Sequence, residues 1–227
     1  MLHQRQLRFI FLVCLGITVI GLTTATAFQL EWRDYKDWII SLEQPERLAE
    51  IRMDERLAPL KLKPGDVVAD IGAGTGVFTR AFAKAVGPTG KVYAEDIQQG
   101  LIDYINKRSK EEGLDNITAI LGEFDDPKLP ARDVDVAFFH DVFHAVEKKE
   151  IMLKNLVSYM KPKSRIALME WDKNDPAGLK FHDSPDVMLS QEEAAKLMAE
   201  VDFYPIQEIE GFSLKGIREW YVIYERR

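Results

Sequence analysis

The feature that most constrains this chain is the run Val67-Val68-Ala69-Asp70-Ile71, which ends in Gly72-Ala73-Gly74-Thr75-Gly76 and passes into the helical pattern of Val77–Val86. A short, nearly continuous apolar run without alternation reads as a strand buried on both faces. The glycines let the backbone reverse sharply and approach a ligand closely. Further units of the same kind follow. Lys91–Ala94 is a strand and Gln99–Glu112 a helix; Ile117–Leu121 is a third strand; Val134–Phe139 is a fourth, with a helix over Lys148–Met160; Arg165–Trp171 is a fifth. Buried strands alternating with helices imply a parallel sheet covered on both sides. After the helix Gln191–Glu200 the order changes, and Pro205–Glu210 and Trp220–Glu225 read as an antiparallel hairpin.

Composition narrows the function. The 227 residues suit one α/β domain with a short extension, and 37 acidic against 30 basic residues give a net charge of −7. That balance speaks against a nucleic-acid partner bound through neutralised phosphates. Cys14 is the single cysteine, which excludes a disulfide framework and any cysteine-based zinc site. Residues 1–27 stand apart: Arg5 and Arg8, an uncharged run from Phe9, then the small residues Thr23-Thr24-Ala25-Thr26-Ala27. These are the parts of a secretory signal peptide cleaved after Ala27; the competing reading is an uncleaved anchor, with membrane association through residues 9–27. Either reading places the domain outside the cytoplasm, secreted, periplasmic or membrane-anchored. Residues 28–63 form a helical lead-in, in which Trp32, Tyr35, Trp38 and Ile39 recur at helical spacing, and residues 64–227 form the main domain.

The glycine spacing carries the chemistry. A dinucleotide fold calls for G-x-G-x-x-G, whereas here it is G-x-G-x-G with Asp70 just ahead of it. A carboxylate in that place repels a diphosphate and can accept hydrogen bonds from an ammonium group, so the turn suits a cationic ligand.

Val68-Ala69-Asp70-Ile71-Gly72-Ala73-Gly74-Thr75-Gly76 resembles motif I of the class I S-adenosylmethionine-dependent methyltransferases, and the likeness continues over residues 64–171. The resemblance implies a Rossmann-like, doubly wound, seven-stranded and mostly parallel sheet, with S-adenosyl-L-methionine as cofactor. It implies that Gly72, Ala73, Gly74 and Gly76 pack against the methionine part of the cofactor, with Asp70 near its amino end. Asp96, at the tip of the second strand, matches the acid that grips both ribose hydroxyls, with Ile97 beside it; a carboxylate has the acceptors for a diol. Glu95 is turned the other way by strand alternation and reads as structural or solvated. Glu123 matches the acid that reads the adenine amino group, and Phe124 stacks or packs nearby. The competing reading of Glu123 is a plain loop acid beside Asp125 and Asp126.

On the acceptor side, Phe138-Phe139-His140-Asp141-Val142-Phe143-His144 resembles the segment that faces the transferred methyl in small-molecule methyltransferases. His140 is assigned to the cofactor's edge, and Asp141 and His144 to catalysis. The competing structural reading makes Asp141 a helix cap and His144 a packing residue. The i, i+4 pair His140 and His144 has the spacing of half a metal site, but no third ligand follows it in the chain, so no metal is expected. Trp171 and Asp172 end the fifth strand at the crevice edge, where core packing is the simpler role for Trp171. His182 lies in a polar loop. The expected function is methyl transfer to a small-molecule or lipid-like acceptor. The alternatives are a nucleotide-dependent oxidoreductase and a non-catalytic cofactor-binding protein of the same fold.

Overall fold

The computed structural model describes residues 34–177 and 188–227. The leader of residues 1–27 and His182 lie outside the described residues. Among the described residues no helix is long and apolar enough to cross a membrane.

Seven strands form one sheet: β1 (Val67–Ile71), β2 (Lys91–Asp96), β3 (Ile117–Leu121), β4 (Val134–His140), β5 (Met160–Trp171), β6 (Phe203–Leu214) and β7 (Ile217–Arg226), in spatial order β3-β2-β1-β4-β5-β7-β6. The first five pair in parallel; β7 inserts antiparallel between β5 and β6. This is the doubly wound arrangement with a C-terminal hairpin that the sequence pattern implies. All five residues of β1 are buried, as its unbroken apolar run requires. The hairpin strands are longer than the apolar cores that mark them. Lys215 and Gly216 both adopt positive φ between the paired residues Leu214 and Ile217, the two-residue turn whose twist suits adjoining antiparallel strands. β5 likewise starts at Met160, five residues ahead of Arg165, with a register irregularity against β4.

Among the described residues the lead-in holds three short helices, α1 (Tyr35–Leu42), α2 (Pro45–Glu50) and α3 (Met53–Leu57), and a 3-10 turn over Ala58–Leu60. Then follow α4 (Val77–Val86), α5 (Gln99–Glu111), α6 (Lys149–Ser158) and α7 (Gln191–Ala199). On α4, Phe78, Phe82 and Val86 fall on one face and pack on one side of the sheet with Val68, Val92, Val136 and Phe138. The other side is closed by Met152, Leu153 and Leu156 of α6 and Ala194 and Met198 of α7 against Ala69, Ala137, Phe139 and Leu168. Ser190 caps α7, its hydroxyl accepting from the Glu193 amide while the Glu193 carboxylate accepts from the Ser190 amide.

Candidate active site

The carboxyl ends of β1, β2 and β4 meet at the point where strand order reverses, the place where open α/β sheets take ligands. Gly72, Gly74 and Gly76 all have positive φ, at 65°, 56° and 72°. Space as well as conformation demands glycine at the first of these. A Cβ on Gly72 would lie 2.4 Å from Cγ2 of Val142, and one on Gly74 2.9 Å from Cδ1 of Leu42 at the end of α1. The lead-in therefore packs directly over the turn. Arg80 of α4 holds it there through a 3.0 Å ion pair to Glu43.

Four of the five amides of residues 72–76 are committed inside the protein. The Gly72 N–H donates to Oε2 of Glu95 (3.2 Å), that of Ala73 to the Glu95 carbonyl (2.8 Å), that of Gly74 to Oδ2 of Asp96 (2.9 Å) and that of Gly76 to the Ala73 carbonyl (2.9 Å). A diphosphate binds such turns through free amides. These four amides already serve acids and carbonyls, which leaves the turn fewer donors for a diphosphate and sets Glu95 and Asp96 against it.

Asp96 lies beside the turn at the end of β2. Its other oxygen accepts from the Gln98 amide at 3.0 Å, so both oxygens are fixed in direction and each keeps a second lone pair for a hydroxyl. Burial raises its pKa, and the amides of Gln98, Gly74 and Ile97 oppose that rise. Asp70 is fully buried; its Oδ2 accepts from the Thr79 hydroxyl at 2.5 Å, and burial pushes its pKa up to about 7. Glu95 is neither solvated nor at the surface. It is buried on the opposite face to Asp96, with its pKa raised well above the usual range by burial, and Gly122 leaves room for its Oε1.

Glu123 and Phe124 sit on the loop after β3. The Glu123 side chain is exposed and pairs with Lys128 at 3.3 Å, and Phe124 is 57% exposed. The structure thus brings Asp70 and Asp96 together and leaves Glu123 at the rim.

His140 and His144 do not form a pair. His140 ends β4 facing α4: its ring lies 4.7 Å from that of Phe78, and its Nε2 lies 2.9 Å from Oε1 of Glu219 on β7. Glu219 in turn meets Nη2 of the fully buried Arg56 on α3 at 2.6 Å. Burial acts to raise the Glu219 pKa, but His140 and Arg56 hold it down to about 2.

His144 belongs to a separate cluster. Its Nδ1 lies 2.7 Å from Oε2 of Glu170 and 3.7 Å from Oδ1 of Asp141. Asp141 follows β4 with φ 54°, a left-handed conformation uncommon for non-glycine residues but one that aspartate tolerates better than most. It caps no helix: Phe143–Ala145 is a single 3-10 turn, and α6 begins after Lys148. Oε1 of Glu170 accepts from three successive amides, those of Val142 (3.1 Å), Phe143 (2.6 Å) and His144 (3.2 Å). Burial disfavours a charged His144 ring, yet Glu170 and Asp141 raise its pKa to about 9; burial lifts Asp141 to about 6. Glu170, Glu219 and Arg56 are the residues that sequence reasoning missed. A lone acid inside the apolar run Ala167-Leu168-Met169-Glu170-Trp171 was the available signal for the first.

The family described as a methyltransferase domain matches residues 62–222. The ubiquinone/menaquinone biosynthesis C-methyltransferase UbiE of Ectopseudomonas mendocina (strain ymp) is 30% identical over 125 residues, 54% of this chain and 49% of that protein. The protein of the same name from Burkholderia multivorans is 33% identical over 123 residues, 52% of this chain and 48% of the relative. The chain spans about half the length of the curated relatives it matches. Among solved structures, a SAM dependent methyltransferase from Aquifex aeolicus superposes with a TM-score of 0.74 at 25% identity, covering 86% of this chain and 99% of that one. Geranyl diphosphate C-methyltransferase from Streptomyces coelicolor A3(2), at 13% identity and TM-score 0.64, shares the fold over 78% of this chain and 75% of its own. With a matched domain of this extent and this sheet order, the chain belongs to the class I S-adenosylmethionine-dependent methyltransferases.

Proposed function

We propose that this chain transfers a methyl group from S-adenosyl-L-methionine to a small-molecule or lipid-like acceptor. When bound, the cofactor supplies a methyl activated by its sulfonium charge, which passes to an acceptor lone pair as the carbon–sulfur electrons stay on sulfur. Asp96 grips the ribose, the glycine turn receives the methionine part, and Asp70 and the edge formed by His140 border it. Asp141 and His144 serve the acceptor side. Where the acceptor has a proton to lose, the carboxylates of the Asp141–His144–Glu170 cluster are the groups that face it. The chain must otherwise only orient the acceptor and exclude water.

The observation that carries this reading is the pairing of a glycine turn held by Glu95 and Asp96 with a separate, largely buried acid–histidine cluster at the tips of β4 and β5. The curated relatives named for quinone biosynthesis favour an aromatic, lipid-soluble acceptor, and the leader's composition favours a place outside the cytoplasm, where such a molecule meets the domain at a bilayer. Calorimetric titration of the full chain tests the reading. Binding of S-adenosylmethionine and of its demethylated product, without binding of NADH, is the expected result. Uptake of NADH alone overturns it.

A further inference from the structure

Among the described residues, Asp141, His144 and Glu170 bring one ligand atom each to a single point, with no two of these atoms more than 4.8 Å apart. We propose that they bind a divalent transition cation, which in turn holds an oxygen of the methyl acceptor; this rests on the methyltransferase reading above.

The distances fit. Ligands about 2.1 Å from a cation lie about 3.0 Å apart at adjacent octahedral positions and about 3.4 Å apart in a tetrahedron. The observed 2.7 Å and 3.7 Å from His144 bracket those spacings, and the third pair, Asp141 with Glu170, lies within 4.8 Å. The donor set is two carboxylate oxygens and one imidazole nitrogen, which suits manganese, iron or zinc better than magnesium. Glu170 is prepared as a one-oxygen ligand, because three backbone amides occupy Oε1 and leave Oε2 facing the cluster. Oδ1 of Asp141 is screened from solvent and accepts no hydrogen bond, with the His144 ring 3.7 Å away as its neighbour in the cluster. Three protein ligands leave open positions for water or for an acceptor oxygen. His140 stands outside this donor set, engaged by Glu219, and the third donor, Glu170, comes from the neighbouring strand.

The test uses the full chain, freed of metal with a chelator and titrated with Mn²⁺ by calorimetry and electron paramagnetic resonance. The expected result is one Mn²⁺ per chain with pulsed-resonance coupling to a directly bonded imidazole nitrogen. That coupling disappears in His144→Gln, and affinity falls at least about tenfold in Asp141→Asn and in Glu170→Gln. Absence of stoichiometric binding, or binding by the wild-type chain without nitrogen coupling, overturns the proposal even if every variant misfolds. Binding of the demethylated cofactor, measured on the same wild-type preparation, tests the methyltransferase reading separately, so the two can fail independently.

Discussion

Nδ1 of His144 stands 2.7 Å from Oε2 of Glu170, while the other oxygen of the same carboxylate holds the three amides of residues 142–144. One acid on β5 thereby fixes both the loop after β4 and the ring that this loop carries. Glu170→Gln puts an amide N–H₂ on one of these two partners, because a carboxamide offers a single acceptor oxygen. Turnover is expected to fall roughly 10–100-fold, with cofactor affinity kept within a factor of a few. Steady-state kinetics beside calorimetry on the variant check this, and a matching loss of cofactor affinity would refute it.

Asp96 ties the glycine turn to the start of α5 through Gly74 and Gln98 and faces the cofactor crevice. Asp96→Ala removes a charged acceptor worth about 1.5–3 kcal/mol per hydrogen bond, so affinity for S-adenosylmethionine should drop by roughly 100-fold. Unchanged affinity by calorimetry would remove the ribose assignment.

Gly72 combines a φ of 65° with a Cβ position 2.4 Å from Val142. Gly72→Ala should destabilise the fold by about 1–3 kcal/mol and displace the loop that leads to Asp141. Urea unfolding reads the first effect, and activity loss beyond the stability loss reads the second.

Asp70 has its pKa raised by burial to about 7 in the folded chain. A raised pKa means that folding takes up a proton. The associated stability is complete below the unfolded carboxyl pKa of about 4, and it is lost as pH rises until Asp70 ionises near 7. Asp70→Asn should flatten that decline, so the stability difference between the two proteins changes from pH 4 to 7 and is constant above. Parallel curves across that window in chemical denaturation would count against a neutral, buried Asp70.

Glu219 neutralises the buried Arg56, and its own pKa is held down to about 2 by His140 and Arg56 against the effect of burial. A depressed pKa contributes stability above about pH 4.5 that is lost as pH falls toward 2. Glu219→Gln leaves a guanidinium buried without its counter-charge, and a loss of about 3–5 kcal/mol is expected. A drop below about 1 kcal/mol in urea unfolding would show that the carbonyls of Ile51 and Ser213, which also accept from Arg56, suffice.

Strand–turn–helix units were legible because their signals are contiguous. The apolar run at β1, the three glycines and Asp96 at the end of β2 follow from backbone sterics and the two-residue period of strands. The bounds of β1, α4 and β3 match the apolar runs residue for residue. The hairpin strands exceed the runs Pro205–Glu210 and Trp220–Glu225 because pairing between β6 and β7 carries β6 from Phe203 to Leu214 and β7 from Ile217 to Arg226, across residues with no apolar pattern of their own.

By itself the sequence determined the alternating architecture, the glycine turn and the acid at the tip of β2, since each depends on neighbours within about ten residues. Tertiary structure decided which face each histidine serves. Glu170 meets His144 across 26 residues, Glu219 meets His140 across 79, and Arg56 meets Glu219 across 163. The register that sets His140 beside Met169 also places Glu170 under the following loop. Hydrogen bonding between strands fixes that register, and no local pattern in one segment records which partner strand will lie beside it.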